Sequence, residues 1–400
     1  RTMRLWRPRS LGVALGVFMT IGFGLQFLGG SFQRRLPGLQ LRQSWVPSLG
    51  STVKSCLPRQ RLVFLKTHKS GSSSVLNLLH RYGDQQGLRF ALPAHYQFGY
   101  PKLFQASKVK GYHPQSADTQ KPFHILCHHM RFNLKEVLQV MPSDSFFFSI
   151  VRDPAALARS AFSYYKSVSS AFRKAPSLAA FLSNPQAFYR PGARGNHYAR
   201  NLLWFDFDFR PSSFIQWGLA WLDSVFDLVM VAEYFDESLV LLADALCWSL
   251  DDVVGFMHNA QAGKKQSLIR TANKTVVTGE DQQLTKQARA WNNLDWALYI
   301  HFNRSLWARI EQYGRSRLQR AVAELRARRE ALAKRCLVGG EALDPKYIAD
   351  AKLRPLQFGS AKVLGYVLQS GLNQKDKEEC ERLATPELQY KDKLDAKQFP

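Results

Sequence analysis

The sequence has few acidic residues, and it lacks the motifs of several common protein classes. Asp and Glu number 31 against 55 Lys and Arg, and the net charge of +24 favours anionic partners such as acidic glycans or phosphate-rich small molecules. No zinc-ligand spacing, RNP-type aromatic motif or basic-region helix is present, so we expect no nucleic-acid partner. No GxxxxGK[ST] motif is present either, which argues against a Walker-type nucleotide kinase.

Cysteine is also scarce. The 5 cysteines are widely spaced and form no CxxC pair, which argues against a zinc site or a thioredoxin-like redox motif. We therefore expect no obligate metal. An odd number leaves at least one thiol free or bonded to another chain. Cys336 and Cys380 flank the C-terminal tail, and we predict a disulfide bond between them.

The N-terminus combines a basic flank with an uncharged run. Residues 1–10 contain no acidic residue, and residues 11–28 contain no charged residue at all. This order predicts a type II signal anchor, with 1–10 as a cytoplasmic tail and 11–28 as a transmembrane helix. A cleaved signal peptide is the alternative, because Gly29, Gly30 and Ser31 are small enough for a cleavage site. Either interpretation places the rest of the chain in the secretory lumen.

The remainder divides into a stem and one large domain. Residues 29–60 are rich in Pro, Gly, Ser and Arg and resemble a linker. Residues 61–400 are predicted to form a lumenal domain, of which 335–400 are a C-terminal extension. N-glycosylation sequons at Asn273 and Asn303 agree with lumenal exposure. The oligomeric state cannot be inferred from the sequence.

Apolar runs and periodic segments alternate along this domain. The runs predict four buried strands, at 62–65, 123–127, 145–151 and 225–232. Helices are predicted at 75–79, 155–165 and 235–246, and 284–332 is largely helical. The alternation predicts an α/β fold with a central, mainly parallel sheet flanked by helices.

The segment 66–74, between the first strand and its helix, is rich in small polar residues. Gly71 allows close approach of the backbone to a ligand, and Ser72 to Ser74 are placed as N-cap hydroxyls. Backbone N–H groups at a helix N-terminus, with Lys69 beside them, form an anion site suited to phosphate. An ordinary polar connection would give the same pattern, so this loop alone does not decide the function.

A second polar motif follows the third strand. Arg152 is placed at the C-terminal end of that strand, where open α/β sheets bind ligands, and Ser160 lies in the next helix. A guanidinium and a hydroxyl brought together can hold one phosphate. Asp153 and Pro154 alone would be explained as a helix start. Together with Lys69, however, the motif indicates a ligand with two separated phosphates.

The motifs K-S-G-S-S and R-x-P-x5-S resemble the 5′- and 3′-phosphate motifs of sulfotransferases that use 3′-phosphoadenosine 5′-phosphosulfate (PAPS). Longer stretches, such as FLKTHKSGSSSVLNLLHRYG and FFFSIVRDPAALARSAFSYYK, resemble the galactose 3-O-sulfotransferases, including galactosylceramide sulfotransferase. The resemblance runs from about residue 61 to 390. LDDVV and FRKAPSLAAFL are most similar to isoenzymes acting on β-galactose of glycoprotein glycans. The chain departs from the family at Ser70-Gly71, where Thr-Ala is frequent, and at His128, where Asn is common.

The resemblance implies a sulfotransferase-type, P-loop-like fold, PAPS as co-substrate and a β-galactose-terminated glycan as acceptor. The product would be 3-O-sulfogalactose on a glycoprotein glycan or glycolipid, with release of 3′-phosphoadenosine 5′-phosphate (PAP). The enzyme would be a single-pass Golgi membrane protein with a lumenal catalytic domain. The residues implied in donor binding are Lys69, Ser70, Gly71, Ser72 and Ser73 for the 5′-phosphosulfate, and Arg152 and Ser160 for the 3′-phosphate.

A sugar hydroxyl is a poor nucleophile, so catalysis requires a base, and histidine titrates in the right range. His129 ends the second strand and matches a histidine in the family's motif, so it is the favoured base. His68 is the second candidate, or a residue that orients the acceptor. Lys69 is expected to stabilise charge on the leaving phosphate. A structural role for either histidine stays open.

Two other functions fit parts of the pattern. A sulfotransferase acting on a uronic acid of heparan or chondroitin would use the same donor motifs. A non-catalytic, basic glycan-binding protein would explain the charge, but it would give no role to the pairing of Lys69 with Arg152. The sequence therefore favours the galactose-specific enzyme.

Overall fold

The computed structural model describes residues 56–114, 123–209, 214–258, 279–358 and 362–400. The strands in these residues are β1 (Leu62–Leu65), β2 (Phe90–Ala91), β3 (Ile125–Leu126), β4 (Phe146–Val151) and β5 (Leu228–Val231). The α-helices in the same residues are α1 (Ser72–Gln85), α2 (Leu134–Val140), α3 (Pro154–Tyr165), α4 (Ser170–Lys174), α5 (Leu178–Ser183), α6 (Pro185–Phe188), α7 (Leu202–Asp206), α8 (Ile215–Val225), α9 (Phe235–Leu246), α10 (Leu250–Val253), α11 (Gly279–Trp291), α12 (Asn293–Tyr313), α13 (Arg315–Cys336), α14 (Gln374–Ala384) and α15 (Glu387–Gln398).

The five strands form one parallel sheet in the order β2-β3-β1-β4-β5. The central strand is β1, whose Leu62 lies opposite Ile125 on one side and Phe146 on the other. Because the strands are parallel, their carboxyl ends meet at one edge, and the segments that follow them lie close together there. The predicted α/β fold with a parallel sheet and flanking helices is confirmed.

Each of the four predicted strands is present, although two are shorter than expected. The runs at 123–127 and 225–232 contain only Ile125–Leu126 and Leu228–Val231 as strand. The helix predicted at 235–246 has the predicted bounds. The second strand in chain order, β2, was not predicted, because two residues are too few to produce an alternating pattern.

The sheet is the centre of the hydrophobic core. All residues of β1 and β4 are buried, and the rings of Phe64 and Phe148 stack at 4.8 Å between adjacent strands. Gly83 of α1 lies directly against the sheet edge. A Cβ there would approach Phe90 Cζ to 2.3 Å and Ile125 Cδ1 to 2.8 Å, so only glycine lets α1 pack this closely.

The C-terminal extension has a small core of its own. Phe256, Ile348, Tyr366 and Leu383 pack around the Cys336–Cys380 disulfide bond, which confirms the predicted pairing. The extension ends in α15, which returns to pack on α1.

A second disulfide bond, Cys56–Cys247, was not predicted. It joins residues 191 positions apart in the sequence, and no local pattern connects them. Cys127 is a free, buried thiol.

Several predicted features lie outside the described residues. They are the tail at 1–10, the transmembrane helix at 11–28, nearly all of the stem at 29–60 and the sequon at Asn273. Within the part of the chain that the structure describes, no helix combines the length and the apolar character needed to cross a membrane.

Candidate active site

The polar segments that follow β1, β3 and β4 meet at the carboxyl edge of the sheet. The β1–α1 loop, residues 66–71, has an unusual backbone, in which Lys69 (φ 59°) and Gly71 (φ 85°) are left-handed. Lysine rarely adopts this conformation, whereas glycine does so readily. The loop is fixed by its own hydroxyl groups: Ser72 Oγ donates to the Thr67 carbonyl at 2.6 Å, and Thr67 Oγ1 donates to the Ile150 carbonyl.

The start of α1 differs from the sequence prediction. The N-cap residue is Gly71, and no side chain caps the helix. The hydroxyls expected as caps are used elsewhere, since Ser72 bonds to Thr67 and Ser73 donates to Glu387 Oε2 at 2.9 Å. An uncapped N-terminus on a helix of this length concentrates positive backbone potential and suits an anion.

Arg152 brings the second predicted motif to the same place. Its Nη1 donates to the carbonyl oxygen of Lys69 at 2.9 Å, so the two motifs are in direct contact. Burial lowers the pKa of Arg152, and the nearby Glu233 opposes that shift. Asp153 caps α3 by accepting from Ala155 N at 2.8 Å, with Pro154 in the first turn. The helix-start interpretation of Asp153 and Pro154 is therefore correct.

Helix α3 carries a residue of one predicted motif and contacts the other. Ser160 lies on α3, where it is buried. The ammonium of Lys69 lies over the ring of Tyr164, 3.8 Å from the centroid, in a cation–π contact. Tyr164 also belongs to α3, so this helix supplies groups to both predicted phosphate motifs.

His129, the favoured base, is held by a buried lysine. Its Nδ1 donates to the carbonyl of Lys66 at 2.9 Å, and its Nε2 accepts from Lys66 Nζ at 2.7 Å. Burial lowers the pKa of His129 well below its usual range, and the ammonium of Lys66 lowers it further. Lys66, only 2% exposed, also forms an ion pair with Glu387 at 3.3 Å. Both ring nitrogens of His129 are thus engaged.

His68 has a different partner. Its Nδ1 donates to Asp206 Oδ1 at 2.9 Å, and its backbone N–H donates to Asp206 Oδ2 at 2.8 Å. Tyr100 Oη donates to the same carboxylate at 3.0 Å. The His68 ring stacks on that of His129 with centroids 4.0 Å apart. Among the described residues, the His68 ring forms its hydrogen bonds through Nδ1, and Nε2 is left as an acceptor.

Aromatic rings surround this histidine pair. Tyr165 and Tyr198 stack with centroids 3.7 Å apart, and both rings lie edge-on to His68, at 6.3 and 5.6 Å. Tyr100 lies 4.4 Å from the same ring. Aromatic faces beside hydrogen-bonding groups are typical of sites that bind a small ligand.

Other polar residues near the edge have structural contacts. His124 accepts from Arg89 N at 3.1 Å. Glu233 accepts from Asp153 N at 3.1 Å. Asn303 lies within α12 and is half-buried, and its relation to glycosylation stays a prediction.

Behind the site, His80, Cys127 and His128 form a buried cluster, the only group of three possible metal ligands among the described residues. The two imidazoles bond through their Nε2 atoms at 3.2 Å, and each Nδ1 is buried without a partner. Metal-bound histidines normally donate their second N–H to an acceptor. A metal held by the two Nε2 atoms would leave both Nδ1–H groups without one, so the cluster is poorly suited to a metal.

Sequence reasoning missed four residues of this edge: Lys66, Tyr100, Asp206 and Glu387. Lys66 was predicted only as part of the polar segment 66–74, because its charge gave no reason to place it in the interior. Asp206 and Glu387 come from distant helices, and no local motif marks them. Their contacts with the β1–α1 loop depend on the packing of α7 and α15.

Comparisons with known proteins identify the family. The family model for galactose-3-O-sulfotransferase matches residues 3–398. The chain is 72% identical to Galactose-3-O-sulfotransferase 4 of Homo sapiens, over 100% of this chain and 96% of that protein. It is 45% identical to Galactose-3-O-sulfotransferase 2 of Homo sapiens (86% and 85% covered) and 40% identical to galactosylceramide sulfotransferase of Bos taurus (86% and 80% covered). No solved structure matches it. The chain belongs to the galactose-3-O-sulfotransferase family.

Proposed function

We propose that this protein transfers a sulfuryl group from PAPS to the 3-hydroxyl of a terminal β-galactose on a glycoprotein glycan or glycolipid. The observation that carries the proposal is the contact of the two anion-binding motifs, in which Arg152 Nη1 lies 2.9 Å from the Lys69 carbonyl. Motifs this close suit one ligand that carries phosphate at both ends. The family membership supplies the reaction class.

The residues present fit PAPS. The uncapped N-terminus of α1, with left-handed Gly71 and the adjacent Lys69, suits the 5′-phosphosulfate. Arg152 and Ser160 suit the 3′-phosphate, because a guanidinium and a hydroxyl both donate hydrogen bonds. PAPS supplies the sulfuryl group and a phosphate leaving group. Lys69 stabilises negative charge at that phosphate.

Of the two candidate bases, the contacts favour His68. Both nitrogens of His129 are engaged by Lys66, so its lone pair is already used. Nδ1 of His68 donates to Asp206, so Nε2 carries the lone pair that can take the proton of the galactose 3-hydroxyl. In this proposal His129 positions Lys66 and stacks on the ring of His68.

Two disulfide bonds support the secretory location, because such bonds persist in oxidising compartments. We place the protein in the Golgi membrane, anchored by residues 11–28 with its catalytic domain in the lumen. A tag fused after Pro400 should be protected from protease in sealed Golgi vesicles and lose protection when detergent is added. Digestion of the tag in sealed vesicles would contradict this topology.

The activity is tested with the full-length protein in detergent. It is incubated with radiolabelled PAPS and β-galactosides on glycan, glycolipid and simple aglycone carriers, together with a uronic-acid polymer. We expect label on β-galactosides alone, at the 3-hydroxyl when the product is mapped, and no label with Lys69→Ala. Transfer to the uronic acid, or to another galactose hydroxyl, would contradict the proposal.

A further inference from the structure

Asp206 forms two kinds of hydrogen bond with His68, the proposed base: one to its ring and one to its backbone. It is 0% exposed, and its two carboxylate oxygens accept hydrogen bonds from the Nδ1 and backbone N–H of His68 and from the hydroxyl of Tyr100. A buried carboxylate is tolerated when several donors satisfy it. Two of these three donors belong to His68, so the backbone and the ring of that residue are fixed together.

These contacts determine which nitrogen of His68 carries the proton. An ionised carboxylate only accepts hydrogen bonds, so Nδ1 must carry the hydrogen that lies between them. The lone pair is then on Nε2, the nitrogen that faces away from Asp206. We propose that Asp206 is a positioning residue, which holds His68 in the Nδ1–H tautomer and stabilises the imidazolium that forms when Nε2 takes the proton of the acceptor hydroxyl. This inference rests on the proposed function.

The proton balance of the step is simple. The O–H bond of the galactose 3-hydroxyl breaks and an N–H bond forms at Nε2, while the hydroxyl oxygen bonds to the sulfur and the S–O bond to the phosphate breaks. The charge on the imidazolium is offset by the carboxylate of Asp206. Because aromatic rings surround His68, this pairing acts in a region of lower dielectric than water, where it is stronger.

Asp206 is itself held in place from two directions. The N-terminus of α7 is fixed by Asp295 of α12, which accepts from Trp204 N at 2.8 Å and Leu203 N at 3.3 Å. The carbonyl of Asp206 accepts from Phe132 N at 2.9 Å, which ties α7 to the segment after β3. The carboxylate is therefore pre-positioned by the scaffold, as a residue that orients a catalytic group must be.

The test compares Asp206→Asn with Asp208→Asn in the full-length protein. Asparagine has the shape of aspartate, but its amide N–H₂ can donate to Nδ1 and so favour the opposite tautomer, with the proton on Nε2. In serine hydrolases the corresponding Asp→Asn change lowers kcat by about 10⁴ for this reason. We expect Asp206→Asn to lower kcat by about 10²- to 10⁴-fold, while KM for PAPS and protection by PAP stay within about twofold.

Asp208 is a matched control from the same segment. It pairs with Arg131 at 2.7 Å and has a left-handed backbone (φ 66°), which asparagine adopts readily. We expect Asp208→Asn to keep kcat within about twofold of the wild type. A kcat for Asp206→Asn equal to that of Asp208→Asn, or an equal loss of PAP protection and kcat in Asp206→Asn, would overturn the inference.

A spectroscopic measurement keeps the inference testable if Asp206→Asn does not fold. Nitrogen chemical shifts of histidine-labelled protein distinguish the two neutral tautomers, and the His68 signals are assigned by their loss in His68→Gln. The wild type should show the Nδ1–H tautomer, and a finding of Nε2–H would overturn the inference. If the wild type transfers no sulfuryl group, the proposed function fails instead, whatever the tautomer.

Discussion

The two sides of the site are built in different ways. Within the β1–α1 loop, hydrogen bonds join residues that are close in sequence: Ser72 reaches Thr67, 5 residues away. The proposed acceptor side depends on longer connections: His68 bonds to Asp206 across 138 residues, and Lys66 pairs with Glu387 of the C-terminal helix α15. The loop is thus largely a local structure, which Arg152 joins from the end of β4, whereas the proposed base and the buried lysine depend on helices from distant parts of the chain. Substitutions on the two sides should therefore have separable effects.

The largest effect is expected at the base. His68→Gln should lower kcat by about 10²- to 10⁴-fold, because no other group takes the proton, while PAP binding is kept. His129→Gln should cause a smaller loss, since this residue acts through Lys66. Both are measured as kcat at saturating PAPS, with PAP protection from thermal unfolding as the control for donor binding. A larger loss for His129→Gln would return the base to that residue.

Donor-side substitutions should give the opposite pattern. Arg152→Ala should abolish the rise in unfolding temperature caused by PAP and reduce kcat/KM by about 10²- to 10³-fold, because a charged donor to the phosphate is removed. Arg152→Lys should give an intermediate result, because lysine keeps the charge but not the two-pronged geometry. The measurement is a thermal-unfolding titration with PAP.

Arg159→Ala is the matched control on the same helix. Arg159 pairs with Asp281 at 3.0 Å near the surface, and such exposed pairs contribute little. Its PAP titration should match that of the wild type. If Arg152→Ala also matched the wild type, the contact between the two motifs would have no role in donor binding.

The same contrast explains what the sequence could predict. The β1–α1 loop and the start of α3 were recognisable, because in each motif the strand, turn and helix residues of the kind that bind phosphate follow each other in the chain. Ser72 to Ser74 were predicted wrongly as caps, because Ser72 and Ser73 donate to Thr67 and Glu387, and Ser74 accepts from His258 N. Asp206 was not predicted, because it contacts His68 only when α7 packs beside the sheet. The sequence favours His129 as the base, because it does not show that Lys66 engages both ring nitrogens of that residue.

Glu387→Gln tests whether the C-terminal extension is part of the site. Glu387→Gln should leave the buried ammonium of Lys66 without its counter-charge, and breaking a buried ion pair costs about 3–5 kcal/mol. We expect the unfolding temperature to fall by several degrees and the activity to fall with it. Glu378→Gln, at an exposed position of α14 in the same extension, is the control and should change stability by less than about 0.5 kcal/mol. Equal unfolding temperatures for the two variants would show that the extension does not support the site.

The smallest effect is expected in the histidine cluster behind the site, and it should appear only in acid. Burial lowers the pKa of His80 to about 3 and that of His128 well below its usual range, so the folded protein keeps both neutral. Below pH ~6.5 the unfolded chain takes up protons that the folded chain does not, and each such histidine removes up to about 1.4 kcal/mol of stability per pH unit. This stability is fully present above that pH and is lost as the pH falls.

His128→Asn should therefore lose less stability than the wild type between pH 7.5 and pH 5.5, by about 1 kcal/mol. At pH 7.5 it should be no more stable than the wild type, because it loses the bond to His80. His95→Asn, at an exposed position, is the control, and its curve of unfolding temperature against pH should run parallel to that of the wild type. A parallel curve for His128→Asn would mean that the cluster takes up protons in the folded protein. His128 lies next to His129, so the substitution could also disturb the proposed acceptor side. An unchanged kcat in His128→Asn would show that the change in acid stability arises in the buried histidine cluster alone.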